Sequence, residues 1–174
     1  MARLLLDFKD RDSQRARACV ESMARFLFLH RLRQWRERAL APIFVTVPVR
    51  AERLHRGTLH PAYTFANLAP ALGAPIFCPV IEGGERRAYL SHEQRQHARA
   101  EESDARLSRS SEKQLRRLLE SRQMDKESTG CPQTVVLMDD VLTTGYSAVQ
   151  ARLVLEPFIE SARWNLVVLF RSPQ

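Results

Sequence analysis

Two kinds of hydrophobic pattern alternate along the chain. Apolar residues recur at helical spacing at Ala16, Val20, Met23, Ala24, Leu27 and Phe28, which predicts one long amphipathic helix. It begins near Asp10, with Asp12 or Ser13 as its cap, continues through Leu32 and Trp35, and stops before Pro42. Leu4–Phe8 reads as a short strand or as a lead-in to that helix. Ile43–Val49 is an unbroken apolar run apart from Thr46 and Pro48, the pattern of a strand buried on both faces. Helical spacing returns over Pro61–Leu72, through Ala62, Phe65, Ala66, Leu68 and Ala69, and Gly73 ends it. Pro75–Ile81 predicts a second buried strand with Cys78 in the core, and Glu82–Gly84 a turn.

Glu85–Ala100 is charged and without periodicity, and Glu101–Gly130 is rich in Ser, Glu, Arg and Gln. Leu107, Leu115, Leu118 and Leu119 put one thin apolar stripe on this stretch, which predicts an amphipathic surface helix. A third buried run, Thr134–Met138, leads into Asp139 and Asp140. Ala148–Ile159 then predicts a helix that turns Val149, Leu153, Val154, Phe158 and Ile159 to a sheet, with Pro157 shortening or kinking its end. Leu166–Phe170 predicts the last buried strand. Apolar runs alternating with helical patterns, without an internal repeat, predict an α/β fold with a mostly parallel, twisted sheet flanked by helices. The expectation is one domain over 1–174, with 1–40 as an N-terminal helical segment and 82–130 as a mobile loop followed by the surface helix.

At 174 residues the chain is long enough for a sizeable core. Its net charge is +7 and its pI about 10.0. Such a surplus fits a polyanionic partner, nucleic acid or a heavily phosphorylated small molecule. The plainer alternative is a solvated basic surface, since Arg far outnumbers Lys. Arg31, Arg33, Arg36 and Arg38 around Trp35 fit that alternative as a solvated helix end with one buried ring. The three cysteines, Cys19, Cys78 and Cys131, are far apart, which argues against a disulfide framework and a zinc ribbon. The N-terminal residues lack a signal-peptide pattern and no apolar run approaches a membrane span, so a cytoplasmic protein with no membrane partner is expected.

The candidate chemistry lies in Thr134–Val149. A buried strand, two carboxylates, a Thr143-Thr144-Gly145-Tyr146-Ser147 turn and a helix follow one another. Open α/β sheets bind ligands beyond the carboxyl ends of their strands. Gly145 allows a positive φ or a close backbone approach. The amides of Thr144 to Ser147, at the start of a helix, make an anion site, and the hydroxyls of Thr143, Thr144 and Ser147 add donors. Asp139 and Asp140 suit vicinal hydroxyls, a metal, or both. A phosphate close to a diol suggests a ribose 5-phosphate. The bland alternative is a structural strand with a surface Asp pair ahead of a helix cap.

Val135–Ser147 resembles the signature of type I phosphoribosyltransferases. The resemblance implies that Asp139 and Asp140 hold the ribose hydroxyls of phosphoribosyl pyrophosphate (PRPP), and that Thr143, Thr144, Gly145, Tyr146 and Ser147 hold its 5-phosphate. Val45-Thr46-Val47-Pro48, the basic segment with Arg53-Leu54 and Arg56-Gly57, and Leu90-Ser91 with Arg95 are similar to the ComF/GntX-like, competence-related branch. Where that branch continues Phe-Asn-Gln, this chain has Thr58-Leu59-His60-Pro61, and the cysteine-rich zinc module common there is lacking. The resemblance assigns the pyrophosphate to Arg50 and Arg53 and to a loop bearing Arg86, Arg87 and Arg95.

The implied reaction is transfer of the phosphoribosyl group from Mg-PRPP to an unknown nitrogenous acceptor, with release of pyrophosphate. Mg²⁺ would be held through PRPP oxygens, with Asp139 or Asp140 as its protein contact. His92 and His97 are candidate general acids. Tyr63, Tyr146 and Trp164 are candidate stacking residues for a base. Two other readings stay open: a PRPP-binding regulator without catalysis, and a competence-associated protein that binds single-stranded nucleic acid through its basic surface. Compared with the branch it resembles, the chain has a longer spacer at 101–130, which that resemblance suggests as a contact between copies in a homo-oligomer.

Overall fold

A computed structural model describes residues 14–38, 42–51, 65–66, 68–83, 104–126, 133–142, 145–159 and 161–171. Helix α1 (Gln14–Arg38) leads into strand β1 (Ile43–Thr46) and, past Pro48, strand β2 (Val49–Arg50). A short helix α2 (Ala69–Leu72) precedes β3 (Ile76–Phe77) and, past Pro79, β4 (Val80–Glu82). Strand β5 (Arg106–Leu107) runs into helix α3 (Arg109–Lys126). Strand β6 (Thr134–Leu142), helix α4 (Tyr146–Leu155) with a 3₁₀ turn (Glu156–Phe158), and strand β7 (Arg163–Arg171) follow.

The main sheet has the order β3-β1-β6-β7 and every pair in it is parallel. Side chains alternate between its faces, and each face carries its own core. Ile43, Val45, Val135 and Leu137 pack with Ala151, Val154 and Leu155 of α4 and Leu115 of α3. Phe44, Val136 and Met138 pack on the other face with Phe28 and Leu32 of α1 and with Phe65, Leu68 and Leu72. Phe28 and Phe65 stack there with ring centroids 4.8 Å apart. A parallel sheet covered on both faces explains why its strands read as continuous apolar runs. This is the α/β arrangement expected from the alternating patterns.

Two runs expected to be single strands are each divided. Pro48 and Pro79 have no N–H to offer a ladder, and each marks the point where the chain leaves the main sheet. The chain from Phe44 to Val49 is one residue longer than its counterpart from Ile76 to Val80, and the two pairs belong to separate sheets. Beyond the prolines, β2 and β4 pair in parallel, and β5 adds antiparallel to β4, forming a second sheet of order β2-β4-β5. Of the helix expected over 61–72, residues 61–64 and 67 lie outside the described residues, Phe65 and Ala66 are helical, and Pro70 marks the separate short helix α2. This proline lies in the first turn of α2 and has no N–H for a bond back to Ala66. Gly73 ends α2 in the left-handed conformation (φ 66°), as expected.

The stretch expected to be one surface helix over 101–130 also departs from that reading. Leu107 sits in β5, opposite Ile81, and not on the helix. Ser108 Oγ accepts the amide of Ser111 at 3.3 Å, a cap that starts α3 two residues after Leu107. Ser111 Oγ in turn accepts the amide of Val80 at 2.8 Å. Leu115 is fully buried, so α3 is a packed layer of the fold on one side and polar on the other.

Helix α4 buries Gln150, Ala151, Val154 and Leu155, whereas Val149 and Leu153, expected to face the sheet, are exposed. Pro157 ends the α-helical geometry as expected, opening a 3₁₀ turn. Strand β7 is longer than the expected 166–170, and it is not buried throughout, because it lies at the margin of the described sheet and exposes Leu166.

The turn after β4 depends on Gly83, whose φ is +72° and whose carbonyl accepts a hydrogen bond from Arg50 Nη1 at 2.9 Å. A Cβ added there would meet the Asp104 carbonyl oxygen at 3.0 Å. Gly83→Ala should therefore cost about 1–3 kcal/mol, from the left-handed conformation and the backbone crowding together. Urea unfolding measures this; an unchanged midpoint would contradict the turn geometry.

Candidate functional site

The order of the main sheet locates a crevice without reference to any motif. The chain goes from β1 outward to β3, then crosses β1 to place β6 on its other side and β7 beyond. Neighbouring strands β1 and β6 thus send their connections in opposite directions. A topological switch point of this kind opens a cleft beyond the carboxyl ends of the two strands. Thr46 pairs with Met138 in register, and the Val47 amide donates to the Met138 carbonyl at 2.9 Å. The chain beyond these bonds begins with Pro48 on β1 and with Asp139 and Asp140 on β6.

Asp139 is buried, with 7% of its surface exposed, and its Cα is in register with Val168 of β7. A carboxylate so far withdrawn from water requires hydrogen-bond donors, and Asp139 is held by contacts within the fold. Period two puts it on the same face as Val135 and Leu137, the face covered by α4. Asp140 is the next residue of the same strand. The two acidic positions sit one and two residues past the last pair of β6 with β1, and the strand runs on beside β7 to Leu142 instead of ending ahead of them as the sequence suggested.

Gly145 adopts the left-handed conformation (φ 75°, ψ 1°) and is the cap of α4. Its carbonyl accepts the Val149 amide at 3.0 Å, and among the described residues no side chain caps the helix. The opening amides of a helix have no intrahelical acceptors, and together with the helix dipole they favour an anion. No acidic residue occupies the first turn of α4 to compete with one. Ser147 in that turn is exposed and Tyr146 is partly buried. Thr143 and Thr144 lie outside the described residues.

Of the five candidate pyrophosphate arginines, Arg50 is described. It ends β2, four residues beyond Thr46, and its guanidinium donates to the Gly83 carbonyl. This bond ties the segment leaving β1 to the turn leaving β4. Arg53, Arg86, Arg87 and Arg95 lie outside the described residues, as do Tyr63, His92 and His97. Trp164 is described and is in register with Val135, at the opposite end of β6 from Asp139. Four residues of strand separate those positions by about 13 Å, and Trp164 packs against the core under α4. It is not a stacking residue for a ligand at the carboxyl ends.

One residue at the switch point escaped the sequence reading. Thr46, at the carboxyl end of β1, is fully buried, and its hydroxyl faces the Cys78 thiol. Its signal was a lone polar residue inside an apolar run, directly ahead of Val47-Pro48. Burial pushes the thiol of nearby Cys78 above its ordinary range, and Thr46 offsets part of that rise. Cys78 is half-buried, short of the core position expected for it. Cys19 on α1 is exposed.

Among the described residues no group of three or more His, Cys, Asp or Glu side chains forms a metal cage. The acidic pair is a donor set suited to a hard cation that takes most of its oxygens from ligand and water, the usual condition of Mg²⁺. Among the same residues no helix is long and apolar enough to cross a membrane. Comparisons with protein-family models, with curated proteins and with solved structures found no match to this chain.

Proposed function

We propose that the chain binds Mg-PRPP at the carboxyl ends of β1 and β6 and transfers its phosphoribosyl group to a nitrogenous acceptor, releasing pyrophosphate. The fold would then be of the type I phosphoribosyltransferase kind. The observation that supports this most is the buried Asp139, one residue past the last β1–β6 pair at a topological switch point, followed within six residues by left-handed Gly145 and the start of α4.

In this reading the carboxylates of Asp139 and Asp140 accept hydrogen bonds from the ribose hydroxyls. The opening amides of α4, with the hydroxyls of Thr143, Thr144 and Ser147, donate to the 5-phosphate. Arg50, Arg53, Arg86, Arg87 and Arg95 neutralise the pyrophosphate. The ribose C1–O bond breaks and its electron pair leaves on the pyrophosphate. The lone pair of the acceptor nitrogen forms the new C1–N bond, and the proton it sheds passes to solvent or to the leaving group. Positive charge on the ring as the C1–O bond opens is stabilised by the two carboxylates. The protein's contribution is position, charge and exclusion of water. Magnesium, when bound, would add charge neutralisation at the pyrophosphate.

A pyrophosphate-release assay over a panel of purine and pyrimidine bases tests the transfer. PRPP-dependent release with at least one base is expected, and Gly145→Val should reduce it at least about tenfold, because a β-branched residue is strongly disfavoured at positive φ. Release with no base, from protein that binds Mg-PRPP, would remove the transferase reading and leave a PRPP-binding regulator.

A further inference from the structure

Cations stand in a row on the outer face of α3. Arg109, Lys113 and Arg117 are all exposed and follow one another at intervals of four residues, so about one helical turn, roughly 6 Å, separates each charge from the next. The inner face of the same helix carries Ser111 and Leu115, both buried. Among the described residues the ion pairs are Arg116 with Glu112 and Arg152 with Glu156, and the row takes part in neither. Arg116 is turned aside from it. Its guanidinium donates to Glu112 Oε1 at 2.8 and 3.1 Å and lies over the Phe158 ring, 5.2 Å from the centroid. Glu120, exposed and three residues past Arg117, bounds the row.

The helix gains nothing from this arrangement by itself. Like charges four residues apart repel along a helix, and Arg109, in the first turn, meets the positive end of the helix dipole. Local preference is overruled in this way where a surface serves something outside the chain, and here the missing counterpart is an anion.

We propose that the outer face of α3 binds the phosphate backbone of a nucleic-acid duplex, without reading its sequence. Charge and shape select this occupant. No aromatic residue occurs in α3, whereas single strands are held by stacking on aromatic rings as well as by charge. No large hydrophobic side chain is exposed among the described residues of α3, which leaves no apolar anchor for a partner protein or for insertion at a membrane surface. A duplex presents a regular line of phosphates on a stiff rod, and a stiff row of cations meets it by charge alone. The net charge of +7 adds long-range attraction. The PRPP site, at the carboxyl ends of β1 and β6, takes no part.

The probe is a short mixed-sequence DNA duplex labelled with fluorescein, followed by anisotropy across a salt series. One of its strands alone and vesicles of phosphatidylglycerol are the other arms. The duplex should bind more tightly than the single strand and, at equal charge concentration, more tightly than the vesicles. Lys113→Gln/Arg117→Gln should weaken duplex binding at least about tenfold at low salt and make the slope of log K against log salt shallower by about 1.8, since each lost phosphate contact removes about 0.9. Arg25→Gln/Arg163→Gln removes the same charge from exposed positions on α1 and β7 and should leave the slope unchanged. Glutamine suits a helix and relieves the repulsion, so the α3 variant should keep or raise the wild-type unfolding midpoint. No duplex binding, equal losses in the two double variants, or tighter binding of the single strand or the vesicles would each overturn the proposal.

Discussion

Alanine in place of Phe44 should cost the fold about 3–5 kcal/mol. Phe44 is fully buried on β1, an inner strand of the main sheet, between Ile76 on one side and Val136 on the other. Above it lie Phe28 and Leu32 of α1, both buried, and the stacked Phe65. Removing the ring leaves a cavity between a sheet fixed by two ladders and a helix fixed by its own hydrogen bonds, so little of the space can collapse. Domains of ordinary stability unfold with about 5–15 kcal/mol, and a loss of this size removes a large share of it. Phe26, two residues from Phe28 on α1, is 81% exposed, and Phe26→Ala should change stability by no more than about 0.5 kcal/mol. Urea unfolding of the two variants decides the matter. Equal losses, or a Phe44 loss below about 1 kcal/mol, would mean that α1 does not cover this face of the sheet.

Much of this architecture was legible before any coordinates. The runs around Ile43 and Val135 read as strands because a parallel sheet buried on both faces leaves no polar alternation. Gly73 and Gly145 read as turn positions, and both have positive φ. What stayed hidden depends on long-range pairing. The extra residue between Phe44 and Val49 has no local signature, and the second sheet exists only because β2 and β4 meet there. Leu107 matched a helical stripe by spacing but is held by antiparallel pairing with Ile81.

The buried face of α4 was misread in part, for a different reason. Hydrophobicity points to Val149, Leu153, Val154, Phe158 and Ile159; Val154 and Ile159 are buried as expected, but Gln150, Ala151 and Leu155 take the places expected of Val149 and Leu153. Small Ala151 permits close approach of the helix, and β7 ends the described sheet, so the neighbouring face of α4 overhangs its margin. The same mismatch between local pattern and burial appears at Leu166, expected in a buried strand but exposed. At the site, the acidic pair and the glycine turn were visible as a contiguous motif. Thr46 was not, because it comes from a distant strand and only the sheet order brings it beside Met138.

The most direct test of the sugar-phosphate site is calorimetric titration of PRPP with Mg²⁺ into the wild type and into Asp139→Ala/Asp140→Ala, with Asp139→Asn/Asp140→Asn as the isosteric companion that preserves packing. Each hydrogen bond to a charged group contributes about 1.5–3 kcal/mol, so losing the pair should weaken binding by roughly two orders of magnitude or more. The wild type should bind Mg-PRPP, and both double variants, folded by circular dichroism, should lose nearly all of that binding. Failure of the folded wild type to bind, or undiminished binding by the variants, would contradict a ribose phosphate site at the end of β6.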